Sequence, residues 1–148
     1  MRLIITADLS PINERLNSLS AQLGDLSPVM LAIGGILESS TRLRIANSKL
    51  APEGKKWAGL SASTLKAKRN KRGKARGSIL VSQGNLMRSI THEASANSVI
   101  VGSGMAYARF HQEGTRNMPA RPFLGLSTDD YTDVSDLIDD WLNDLIGA

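Results

Sequence analysis

The side chains able to do chemistry are few. His92 is followed directly by Glu93, and His111 stands two residues before Glu113. Imidazole and carboxylate together suit zinc or manganese, so these four residues are the candidate metal set. Alternation along a strand puts His92 and Glu93 on opposite faces, however, and no spacing ties the two segments together. His111 also shares the i, i+3, i+4 face of a short helix with Tyr107 and Phe110. The expectation for it is a buried imidazole satisfied by a backbone carbonyl. No nucleophile or orienting acid is placed beside it by spacing, which argues against general acid–base work. The chain has no cysteine, which excludes a thiol nucleophile, a disulfide scaffold and a Cys-ligated zinc site. No phosphate-binding glycine loop, HExxH or GxSxG motif is present.

Charge is the second chemical signal. Lys66, Lys68, Arg69, Lys71, Arg72, Lys74 and Arg76 place seven cations in eleven positions. Gly73 and Gly77 interrupt regular structure there, so an exposed, mobile basic loop over about 66–77 is predicted. Such a loop can contact several phosphates with steep salt dependence. It carries no interleaved aromatics and no helix-turn-helix pattern, which leaves nonspecific contact with DNA rather than sequence readout. The other reading is docking on an acidic protein surface. Between Arg42 and Arg88 there are thirteen basic residues and one acid, Glu53, whereas from Asp129 onward there are seven aspartates and no basic residue. That segregation suits head-to-tail association of copies, and both segments are equally readable as solvated faces.

The elements that must position these groups follow from periodicity. Ser10-Pro11 reads as a helix start, with Ile12, Leu16, Leu19 and Leu23 on one face and Gly24 as the stop. Ser27-Pro28 repeats the start, and Val29, Ile33, Ile36, Leu37 and Leu43 carry a longer helix to about Ala46. Gly34-Gly35 inside it costs about 1 kcal/mol per glycine, which close approach of another backbone would explain. Residues 47–60 read as a loop anchored by Trp57, and Ser61 caps a short helix. Ile79, Leu80, Leu86 and Ile90 mark a short amphipathic segment. Residues 89–95 and 98–102 read as two strands turning at Ala96-Asn97, and a short helix is expected over about 105–113. Pro119 and Pro122 keep 116–125 extended or irregular. The C-terminal helix, about 128–146, has a capping box at Ser127 and Asp130 and an apolar stripe of Tyr131, Val134, Leu137, Ile138, Trp141, Leu142 and Leu145. Its Asp139, Asp140 and Asp144 oppose the helix dipole and call for a cationic partner.

The predicted architecture is therefore α+β: a single domain of N-terminal helices, a hairpin at about 89–102, a short helix and an amphipathic C-terminal helix. The 148 residues suit one core without disulfide or metal. No apolar run is long enough to span a bilayer, and Asp8 comes too early for a secretory signal, so a soluble cytoplasmic protein with no membrane partner is expected.

The block YARFHQEGTRNMPARPFLGLS, Tyr107 to Ser127, resembles the signature of the phage virion morphogenesis family, also called the tail completion or tail protein S family. The matching residues are Tyr107, His111, Gly114, Pro119, Ala120, Arg121, Pro122, Phe123, Leu124 and Gly125. Trp57, the Leu60-Ser61 helix start, the Lys-rich segment and the Leu80-x-x-x-Gly84-x-Leu86-x-x-Ser89 pattern extend the resemblance over about 50–127. Glu113 stands where the family more often has an aromatic or apolar residue. The resemblance implies a small structural protein of the head–tail junction, acting as an oligomeric ring at the tail end or neck. Its partners would be other connector or tail proteins and further copies of itself, first in the host cytoplasm and then in the virion. It implies no enzymatic activity and no cofactor. Arg121 and Phe123, flanked by proline, are expected to form a rigid ledge, with Phe123 and Leu124 in the core. Replacing Lys68, Arg69, Lys71 and Arg72 by serine is expected to leave folding intact and impair assembly. A nonspecific DNA-binding protein is the alternative, and a metal-dependent hydrolase using His92 and His111 a third.

Overall fold

Three long amphipathic segments build the first half of the core. In the computed structural model, residues 10–69, 72, 77–81, 83–96 and 98–147 are described, with the side chains at 10, 11 and 146 excepted. Helix α1 spans Ser10–Leu23, α2 Ser27–Leu43 and α6 Thr128–Gly147. Between α2 and α6 lie α3 (Ala62–Ala67), α4 (Asn85–Arg88), strands β1 (Ile90–Ala94) and β2 (Val99–Ser103), and α5 (Ala108–Glu113). The molecule is α+β, as its element order requires.

The faces spaced by helical periodicity meet as they should. Ile12, Leu16, Leu19, Val29, Met30, Ile33, Val134 and Ile138 form one buried cluster where α1, α2 and α6 pack. Gly24 ends α1 with φ +72°, donating its N–H to the Ser20 carbonyl, the left-handed stop glycine allows. The capping box of α6 forms: Asp130 N–H donates to Ser127 Oγ at 3.0 Å and Ser127 N–H to Asp130 Oδ2 at 2.9 Å. The cation that Asp139 calls for comes from within the chain, since Arg15 of α1 reaches it at 2.8 Å.

Several details differ from the sequence reading. Ser27 does not cap α2; Leu26 takes that position, and Ser27 bonds instead to the Asp25 carboxylate through its N–H and hydroxyl. Helix α2 ends at Leu43 and widens into a π-turn over Arg44–Ser48. The widened turn rotates Arg44 and Ile45 inward, where both are buried, and leaves Leu43 exposed rather than on the apolar face. Lys49, with φ +57°, closes the turn in a left-handed conformation and donates its N–H to the Arg44 carbonyl. The predicted short helix begins at Ala108 rather than 105, and Phe110 points outward.

The hairpin pairs Ile90 with Ser103, His92 with Val101 and Ala94 with Val99 in an antiparallel register, and Asn97 at its turn lies outside the described residues. It packs on α2 and explains one glycine of the Gly34-Gly35 pair. A Cβ at Gly34 would collide with the His92 ring and lie 2.9 Å from Val99 Cγ2. The close approach is thus made by side chains, not by another backbone. At Gly35 no described atom outside the helix's own backbone lies within 4 Å of a Cβ position. His92 Nδ1 meets Glu38, which also pairs with Arg42 at 2.9 Å.

Candidate functional site

The segment after α5 is extended because its prolines forbid helix, and an extended segment must find outside partners for its backbone. Here side chains supply them. Gln112 of α5 accepts from the N–H groups of Phe123 and Leu124 at 3.0 Å each and donates to the Leu124 carbonyl at 3.0 Å. Trp57 donates its indole N–H to the Pro122 carbonyl at 2.8 Å, and Arg44 donates to the Phe123 carbonyl at 2.6 Å. Arg44 also pairs with Asp130 at 3.1 Å, both side chains buried. One capping aspartate thus joins the start of α6, the π-turn and the extended strap.

Arg121 is buried, at 6% exposure. Its guanidinium donates to the Ala58 and Gly59 carbonyls at 2.9 and 2.8 Å, and its N–H donates to the His111 carbonyl at 2.7 Å. Phe123 is fully enclosed, with Leu124 beside it, among Ile45, Trp57, Leu86, Ile90 and Ala108. Two glycines make the path possible. Gly114 has φ +77°, and a Cβ there would lie 2.7 Å from the Ala120 nitrogen; Gly125 has φ +146° with the Pro52 ring 2.8 Å from its Cβ position. The ledge expected of Arg121 and Phe123 is therefore an internal brace: arginine ties it to the 58–59 backbone and phenylalanine plugs the second core cluster.

Tyr107 and His111 stack edge to face at 5.8 Å. Both line an open cleft of about 630 Å³, shared with Ser61, Lys68, Pro119 and Arg121. Contrary to expectation, His111 Nδ1 is buried with no hydrogen-bond partner among the described residues. Burial holds the imidazole below its ordinary value of 6.5, and the Arg121 charge adds to this. Among the described residues lining the cleft none is a carboxylate. Glu113 pairs with Arg109 at 2.9 Å, away from the imidazole. Among the described residues no three His, Cys, Asp or Glu side chains cluster as metal ligands.

The basic segment divides. Lys71, Lys74 and Arg76 lie outside the described residues. Lys66 and Arg69 are exposed, and Arg72 is exposed too. Lys68 is structural: its ammonium donates to the Ser78 and Val81 carbonyls at 3.1 and 2.9 Å. Lys49 reaches the same turn, donating to Ser78 Oγ and the Ile79 carbonyl. Burial and the neighbouring Lys68 charge hold the Lys49 amine below its ordinary value. Replacing Lys68 by serine would remove both donations to the 78–81 turn, so of the four substitutions this one reaches into the fold. Arg44 and Gln112, which sequence reasoning passed over, do as much as any motif residue. The only available signal was a glutamine adjoining the motif histidine.

What these contacts define is a small α+β scaffold whose motif is spent on bracing the chain. The chain belongs to the phage virion morphogenesis family, whose model matches residues 7–143. It is 31% identical over 140 residues to the Mu-like prophage FluMu G protein 1 of Haemophilus influenzae, covering 93% of each chain. It is also 36% identical over 110 residues to the putative capsid assembly protein G of Escherichia phage Mu, covering 69% of this chain and 70% of that one. No solved structure matches. The role of the chain is accordingly structural, in the assembly of phage particles.

Proposed function

We propose that this protein is a non-enzymatic part of the head–tail junction, acting in tail completion or head–tail joining as an oligomeric ring at the virion neck. The observation that supports the reading is the use of the family motif. Arg121, Phe123 and the backbone from Pro122 to Leu124 are all engaged in internal tethers. A motif used this way makes a rigid shape for neighbours to read. Its partners in this reading are connector or tail proteins and further copies of itself.

The test is electron microscopy of particles from an induced lysogen lacking this gene. Filled heads beside separate or wrongly terminated tails are the expected outcome; normal infectious particles overturn the reading. A nonspecific DNA-binding role is the second reading, supported by exposed Lys66 on α3 and exposed Arg69 just after it. It requires duplex binding with a steep salt slope that falls when these two charges are removed, and absence of binding at low salt ends it.

A further inference from the structure

Helix α3 buries no residue at all. Six residues are too few to stand on helix propensity alone, yet this helix presents Leu65, 48% exposed, beside exposed Lys66, with exposed Arg69 two residues past its end. Between α2 and the start of α6 lies an open groove of about 980 Å³. Leu43, 58% exposed, and Pro52 form part of its apolar lining. The exposed carboxylates of Glu53, Asp129 and Asp133 line it as well, while Arg44 and Asp130 neutralise each other in their buried pair. Gly35 also lines this groove, and among the described residues nothing outside its own helix backbone lies within 4 Å of its Cβ position. A glycine inside a helix is destabilising relative to alanine, and Gly34 shows how such a loss is offset by close packing. Gly35 has no such contact among the described residues.

We propose that the groove receives helix α3 of a second copy and the residues just past it, with Leu65 entering beside Leu43 over Gly35 and Lys66 and Arg69 meeting Glu53, Asp129 and Asp133. The two surfaces differ in shape and charge, so the contact is heterologous and repeats from copy to copy. Complementary charges set its register and make it weaken with salt. This deepens the ring reading above and rests on it, naming the surfaces through which copies would join.

The chain has no cysteine, so each introduced thiol is the sole one. Leu65→Cys and Leu43→Cys proteins, mixed as free thiols and then oxidised, should give the crossed disulfide at least tenfold above either self-dimer, with each protein oxidised alone as the control. Equal yields of all three species, or a dominant Leu65→Cys self-dimer, overturn the pairing. Sedimentation of the intact chain at low salt reads association independently. The pair Asp129→Lys/Asp133→Lys and the pair Lys66→Glu/Arg69→Glu should each weaken self-association at least tenfold, and an equal mixture of the two proteins should regain it. Gly35→Leu should keep native helicity by circular dichroism and lose association. A chain that sediments as a monomer under all conditions overturns both association and pairing. One that associates without the crossed disulfide and with unaltered reversal variants overturns the pairing while the ring reading stands.

Discussion

The two core clusters are built on different principles. The first, between α1, α2 and α6, is apolar stripe against apolar stripe: Leu19, Val29 and Ile138 are fully buried in it and interchangeable in kind with many aliphatic alternatives. The second, around Phe123, joins irregular segments whose backbone groups have no helix or sheet to pair with. Arg44, Trp57, Gln112 and Arg121 satisfy them individually. Periodic packing tolerates loss in small steps. A braced, irregular core concentrates its stability in a few polar side chains, because each one removed strands a buried partner.

The largest contrast should appear when each half loses one side chain. Arg44→Met leaves Asp130 buried without its cation and the Phe123 carbonyl without its donor, and should cost about 3–5 kcal/mol. Ile138→Val in the helical cluster should cost about 0.5–1.5 kcal/mol. Urea unfolding of both proteins checks the pair, and equal losses would erase the distinction drawn between the clusters.

A smaller effect, of opposite sign at adjacent positions, sharpens the boundary between packing inside the chain and packing outside it. Gly34→Ala forces the His92 ring aside and should destabilise by about 1–3 kcal/mol. Gly35→Ala meets open space within a helix and should stabilise by about 0.5–1 kcal/mol. Thermal melts of the two variants give the signs directly.

The smallest effect is the pH dependence carried by His111. Its folded value lies below the ordinary one because its imidazole is removed from water and faces Arg121. The unfolded chain therefore binds this proton more readily than the folded chain. The stability it contributes is complete above about 6.5 and is lost as pH falls through the lower folded value. His111→Gln should flatten the fall in Tm between about pH 7 and pH 5. An unchanged slope would show that the orphaned imidazole does not carry it.

Helices α1, α2 and α6, the Ser61 and Ser127 caps and the hairpin were legible because each depends on residues near in sequence. The Phe123 plug was legible from the motif and its apolar character. The tethers were not. Arg44 lies 79 positions from the carbonyl it holds and Arg121 lies 63 from Ala58, and no local pattern links such residues. Leu43 was misplaced for a related reason, since the π-turn that follows it depends on what Arg44 and Ile45 find in the interior. Lys68 read as one more cation in a run, and only the turn at 78–81 turns it into a strut.

By itself the sequence determined what periodicity, capping and composition can carry: an α+β chain with apolar stripes, segregated charge, no thiol chemistry and a family motif. The tertiary structure alone decided the work of each charged residue. Arg15, Arg44, Lys68 and Arg121 serve the fold, while Lys66, Arg69, Asp129 and Asp133 remain on the surface. The reason is physical. Helical and strand patterns are set by neighbours along the chain, whereas a charge has its role set by the nearest opposite dipole in space, and only folding brings that dipole to it.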